Sequence, residues 1–184
     1  MGEYYGMITD AEKRIILSLV AIEKVTTFKL HKMFKELGSI EKVLELSVQE
    51  LEKFFGDSGE EIYKKIRYNL EFNFEEYFKF YNVNYIFCDD IYYPKELFRL
   101  YDYPFVIFYR GNKELLLFKR KMSIVGSRNN TEYSEEALES IVPHLLKNYF
   151  LIVSGLAYGV DSLAHEGAIK NGGFTIGVIA HGHN

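Results

Sequence analysis

Three short apolar runs limit this chain more than anything else in it: MSIVG (122–126), FLIVSG (150–155) and FTIGVIA (174–180). They are dense in Ile, Val and Phe and lack the alternation of a half-exposed strand. Such runs are strands buried on both faces, which means a parallel sheet. Helical patterning fills the gaps at 132–148 and 160–171, and Gly172-Gly173 halts the second stretch. The order is then β-α-β-α-β, with right-handed crossovers. Pro143 falls inside the first helix, where it removes a backbone donor and should bend it. Two earlier runs, YIFCD (85–89) and FVIFY (105–109), read as further strands of the same parallel kind.

Parallel order gathers the carboxyl ends of the strands on one sheet edge. Each of the last three strands ends there in a glycine turn: Gly126-Ser127-Arg128, Ser154-Gly155-Leu156 and His181-Gly182-His183. Ligands of open α/β sheets bind outside the carboxyl ends. Glycine permits close backbone approach, and the helix N-termini that follow offer free N–H groups and a positive dipole end. The hydroxyls of Ser127 and Ser154 are small enough to donate to an anionic oxygen. Arg128 adds a permanent charge on a planar fork suited to phosphate. The pattern therefore predicts a phosphate-recognition turn, against the plainer reading of sheet-to-helix turns with Arg128 in a surface ion pair. No Gly-Lys-Ser/Thr follows Gly155, and SGLAYG does not space its glycines as a dinucleotide fingerprint does, so no nucleotide cofactor is expected.

The first 82 residues are patterned differently. Thr9 with Glu12, and Ser47 with Glu50, form the capping-box pairs that open helices. Ile15, Ile16, Leu19 and Ile22 make one apolar stripe, and Phe28, Leu30, Phe34 and Leu37 another that stops at Gly38. Short helices joined by tight turns predict a small all-α domain over 1–82, with an α/β domain over 83–184. The aromatic-rich stretch YNLEFNFEEYFKFYNVNYIF (68–87) admits two readings, a stacking platform for bases or packing where helix meets sheet. Tyr and Phe are abundant throughout the chain, which favours packing.

Neither half of the chain is net basic, and the total is −4, so a nucleic-acid site must be a local patch. Cys88 is the lone cysteine, which excludes an internal disulfide and points to a reducing, cytoplasmic setting. The N-terminus lacks a signal peptide's basic and apolar regions, and no stretch approaches the ~18 apolar residues of a membrane span.

Three segments carry a resemblance: YYPKELFRLYDYPFVIFYRGN (92–112), SIVGSRNNTEY (123–133) and IVSGLAYGVDSLAHEGAIKNGGFTIGVIAHG (152–182). In order and spacing they resemble the DNA-processing protein A (DprA/Smf) family. The resemblance implies a Rossmann-like domain preceded by a SAM-like helical domain, binding single-stranded DNA and helping to load RecA recombinase during natural transformation. No nucleophile–base pair with an orienting group is visible in the sequence, so no enzymatic activity is expected. On these residues, Gly126, Ser127, Arg128 and Asn129 match the family's backbone-contacting turn. Ser154, Gly155 and Gly159 match a second turn, supported by Asp161 as a cap or loop brace and by His165 as a packed histidine. Tyr158 stands where the family usually has a basic residue, and Ser134 where it often has glycine. The family continues beyond the segment matching Asn184, so the Rossmann-like part is expected to be truncated, its open sheet edge favouring homo-oligomers.

A second reading, from a related superfamily, is a phosphoribohydrolase-like enzyme or sensor acting on a nucleotide or nucleoside phosphate. Its Pro-Gly-Gly-x-Gly-Thr turn with a following Glu is absent from this sequence. His181 and His183 suggest a metal only weakly, with no third ligand in the pattern.

Overall fold

A computed structural model of the chain describes residues 7–180 and 182. Packing divides it into two compact units, 1–111 and 112–184.

In the first unit, helices α1 (Asp10–Val20), α2 (Thr27–Leu37), α3 (Val48–Phe55), α4 (Gly59–Glu71) and α5 (Phe74–Phe80) follow one another, with 3₁₀ turns between α2 and α4. Both capping boxes form. Thr9 Oγ1 accepts from the Glu12 N–H at 3.1 Å, and Glu50 Oε2 accepts from the Ser47 N–H at 2.8 Å. Gly38 ends α2 at φ 74°, a left-handed turn that glycine adopts without strain. The stripe Ile15, Ile16, Leu19 and Ile22 is buried against a core that includes Leu51, Ile62 and Ile66. In α2 the buried face is Leu30, Met33 and Phe34; Phe28 is 51% exposed. Helical spacing explains the difference, since 30, 33 and 34 share a face that 28 does not.

Two strands complete this unit, β1 (Asn84–Phe87) and β2 (Val106–Tyr109). They pair antiparallel, Asn84 opposite Tyr109, in a sheet of their own. The expectation that they extend the parallel sheet is corrected here. An aromatic-covered pair looks the same in sequence as a doubly buried strand, because both are uninterrupted apolar runs. The covering is specific: the Phe78 ring of α5 lies 5.2 Å from both Tyr85 and Phe108. Aromatic packing of helix on sheet therefore accounts for much of that aromatic stretch. Among the loop residues, Tyr93, Tyr103 and Phe105 are fully buried, and the Tyr93 hydroxyl donates to the Pro104 carbonyl at 2.6 Å.

The second unit holds β3 (Lys121–Ser123), α6 (Glu132–Lys147), β4 (Leu151–Ser154), α7 (Val160–Lys170) and β5 (Thr175–Gly177). The strands are parallel in the order β3-β4-β5, Met122 beside Ile152 and Ile152 beside Thr175. Val142 of α6, Ala164 and Ala168 of α7 and Ile152 of β4 form one buried cluster, so both helices cover the same sheet face. Pro143 is accommodated within α6.

Candidate functional site

The turns after β3 and β4 meet at the carboxyl edge of the sheet. The Val160 N–H donates to the Ser127 carbonyl at 3.1 Å, tying the start of α7 to the first turn. Gly159 sits at φ 80°, ψ −129°, and a β-carbon there would collide with the carbonyl oxygens of Ser127 and Arg128. A β-carbon on Gly126 would come within 2.8 Å of the Val160 methyls. Glycine is required at both positions for the turns to interlock.

Within the first turn, Ser127 Oγ accepts the Asn129 N–H at 3.1 Å, which leaves the hydroxyl proton free to donate. Gly126, Ser127, Arg128 and Asn129 are all exposed. The Arg128 guanidinium makes no hydrogen bond or ion pair among the described residues, so it is not the surface ion pair of the plainer reading. The two helix N-termini at this edge differ. That of α6 is closed by Thr131, whose hydroxyl accepts the Ser134 N–H, and it carries Glu132 and Glu135 in its first turn. That of α7 begins at Gly159 with no side-chain cap. Neither end is an open donor site, since in α7 the Val160 N–H is taken by the Ser127 carbonyl and Asp161 lies in the first turn.

Ser154 requires a correction. It is 2% exposed and its hydroxyl donates to the Ile124 carbonyl at 2.6 Å. Its single proton bridges two strands and is not available to an anion. Gly155 lies against Asp161, where a β-carbon would come within 2.7 Å of Oδ2. That carboxylate oxygen accepts the N–H groups of Gly155 at 3.1 Å and Ala157 at 3.4 Å. Asp161 is buried, and its carboxylate holds the second turn in shape from the first turn of α7. Leu156 takes a left-handed φ of 59° in this braced turn, with its side chain 60% exposed, and Tyr158 is 84% exposed.

His165 packs one turn further along α7. Its Nδ1 lies 2.6 Å from Thr175 Oγ1, which donates its own proton to the Ile152 carbonyl at 3.0 Å. The threonine must therefore accept, and His165 is the neutral tautomer with hydrogen on Nδ1. Burial lowers the His165 pKa, opposed by the nearby Asp161 charge. Its Nε2 is buried without a partner among the described residues. Thr175 and Val160 were invisible as site-supporting residues in sequence, because their contributions are a strand hydroxyl and a backbone N–H. The third turn contributes only Gly182 to the described residues; His181 and His183 lie outside them. No group of His, Cys, Asp and Glu that could hold a metal occurs among the described residues. Nor is any helix there long and apolar enough to cross a membrane.

Residues 84–184, which contain both interlocked turns, match the family described as DNA recombination-mediator protein A. The chain belongs to this family. The DNA processing protein DprA of Streptococcus pneumoniae is 44% identical over 90 residues, 49% of this chain and 31% of that protein. Protein Smf of Synechocystis is 31% identical over 161 residues, 84% of this chain and 39% of that protein. The X-ray structure of the Streptococcus pneumoniae DNA processing protein A superimposes with a TM-score of 0.65 at 27% identity, covering 95% of this chain and 59% of that one. The chain thus spans about a third of the length of these curated recombination-mediator relatives. Its fold is the mixed α/β arrangement of a helical front part and a parallel sheet.

Proposed function

We propose that the carboxyl edge of the parallel sheet binds the sugar–phosphate backbone of single-stranded DNA. The observation that carries this reading is Arg128, an exposed guanidinium with no partner among the described residues, held on a turn that Gly159 locks from behind. Beside it lies the Ser127 hydroxyl, whose proton is free to donate to a phosphate oxygen. Backbone contacts position a strand without reading its sequence, which suits a mediator that handles any incoming DNA. The family membership supports the same substrate class. The role is binding and hand-over to a RecA-type recombinase, without turnover; among the described residues of this edge no nucleophile is held by a base, the arrangement covalent catalysis needs. Asp161 is occupied by two N–H groups and His165 by Thr175. The open strands β3 and β5 at the sheet's two edges support self-association.

Arg128→Ala tests the site. Affinity for oligonucleotides of any sequence should fall by a similar factor, and the log–log salt slope should flatten by roughly 0.7, the share of one phosphate on a single strand. Arg128→Lys should restore only part, since a point charge replaces a fork. Stability should change by less than about 0.5 kcal/mol, because the side chain is exposed and has no partner among the described residues. Unchanged affinity and slope in a folded variant would sink the reading.

A further inference from the structure

The second unit segregates its charges along the strand direction. Its acids Glu132, Glu135, Glu136 and Glu139 lie on the first half of α6 and Asp161 in the first turn of α7, toward the carboxyl edge. Apart from Arg128 at the carboxyl edge, the lysines and arginines at its helix ends and at the entry to β3 gather at the other end. Both helices return antiparallel to the strands, so Lys147 in the last turn of α6 and Lys170 in the last turn of α7 arrive at the amino edge. Lys119, Arg120 and Lys121 arrive there too, at the entry to β3. Of the remaining acids, Glu114 neighbours Lys113 and Glu166 sits midway along α7.

Contacts hold these pieces together. Arg120 Nη1 donates to the Asn148 carbonyl at 3.0 Å, its guanidinium lies over the Phe150 ring at 5.9 Å, and its carbonyl accepts the Leu151 N–H at 2.8 Å. Phe118 and Phe174 rings, 6.1 Å apart, join the turn before β5 to the same edge. A cleft of about 430 Å³ opens there, lined by Arg120, Ser140, Ile141, His144, Leu145 and Phe150 among others. Two aromatic rings stand out beside it, Tyr149 at 80% and Phe174 at 57% exposure.

Helix-end cations offset the negative dipole end, and that accounts for part of the pattern. It does not account for Lys119, which is on no helix, nor for exposed aromatic rings among the cations. Lys119, Lys147 and Lys170 are exposed and make no ion pair among the described residues. Unpaired cations interleaved with exposed rings are what a single-stranded nucleic acid requires: phosphates meet the charges and bases stack on the rings.

We propose that the amino edge of the sheet is a second contact surface for single-stranded DNA, separate from the Arg128 turn. The strand crosses Lys119, Lys147 and Lys170 through its phosphates and places a base on Tyr149 or Phe174. The two edges are separated by the length of β4, about 13 Å for four residues at roughly 3.3 Å each. One bound strand can therefore run across the unit and touch both. The shallow depression there sets a guanidinium, Arg120, beside a ring, Phe150.

The test uses the whole chain and a fluorescent oligo-dT of about 30 nucleotides, longer than the roughly 4–16 that one such module covers. The variant is K119Q/K147Q/K170Q, with K35Q/K53Q/K79Q as a charge-matched control in the first unit. The amino-edge variant should flatten the log–log salt slope by about 2, three contacts at roughly 0.7 each, and the control should leave it unchanged. Tyr149→Ala should weaken binding several-fold with the slope intact, as a lost stacking contact does. An unaltered slope in the amino-edge variant, or an equal drop in the control, overturns the proposal. So does loss of binding to phosphatidylserine vesicles with the DNA slope intact. The outcome is independent of Arg128→Ala, which reports on the opposite edge alone.

Discussion

The two units of this protein treat polar groups in opposite ways. The ion pairs found among the described residues all lie in the first. Glu61 is gripped by Lys24 at 2.6 Å and Lys65 at 2.8 Å, which hold its carboxyl near pKa 2, and Lys13 pairs with the buried Asp89 at 3.2 Å. Cys88 is inert: burial pushes its thiol up to about 12. The largest fully buried side chains, Tyr93, Tyr103 and Phe105 with the helix aliphatics, belong to this unit. In the second, the buried core is small, Val142, Leu151, Ile152, Ala164 and Ala168, while Arg128, Lys119, Lys147 and Lys170 at its edges make no ion pair among the described residues. Ion pairing among the described residues is thus confined to the first unit, while the second makes its internal polar contacts by hydrogen bonds. Binding surfaces need unsatisfied donors, and a scaffold cannot tolerate them.

Gly159→Ala should break the comparison most severely. A left-handed conformation without glycine costs about 1–3 kcal/mol, and forcing a methyl into the Ser127 and Arg128 carbonyls adds a similar amount. Hydrogen exchange should show protection lost across β3, β4 and α7 while α1 and α4 stay protected. Loss of protection in both units together would show that they fold as one.

A smaller effect is expected from Asp161→Ala, which strips the acceptor from the Gly155 and Ala157 N–H groups. Gly155 is exposed and Ala157 half-buried, so water offsets part of the loss. The cost should stay below the about 1–3 kcal/mol of a buried unsatisfied donor, the longer 3.4 Å bond contributing least. Denaturant midpoints should fall with unchanged slope, and Asp161→Asn, which keeps an acceptor oxygen, should recover much of the loss.

The mildest perturbation is pH, and it is the one that should touch both units. His31 and His165 each have a pKa lowered from 6.5, in both cases chiefly by burial. His31 lies against Phe105 at 4.4 Å, with Nε2 on the Tyr103 carbonyl at 2.8 Å. The unfolded chain takes up these protons before the folded one does. Stability is then full above about pH 7 and falls as pH drops below 6.5 toward the folded values. Midpoints at pH 7.5 and 5.5 check the sign. His165→Asn should remove the share read in α7 and leave the share read in α2.

The interlock itself was only half legible in advance. Gly126, Arg128 and Gly159 stand out in sequence because glycine and arginine at strand ends have few other uses. That Ser154 turns inward was not legible. Whether a hydroxyl faces sheet or solvent depends on the parity of its strand position, which β4's pairing with β3 and β5 decides. Likewise the residue pattern changes near Asn84, and the family match begins there, yet the packing divides after Gly111. β1 and β2 chose each other and the aromatic face of α5, a long-range choice that uninterrupted apolar runs leave open.

Periodicity and caps alone determined the helices and the parallel core strands, because those signals act over a few residues through backbone hydrogen bonds and side-chain spacing. The direction of β1 and β2, the inward turn of Ser154, the bracing by Asp161 and the gathering of cations at the amino edge came from the tertiary structure. Each joins residues far apart in the chain, and only packing determines which distant groups meet.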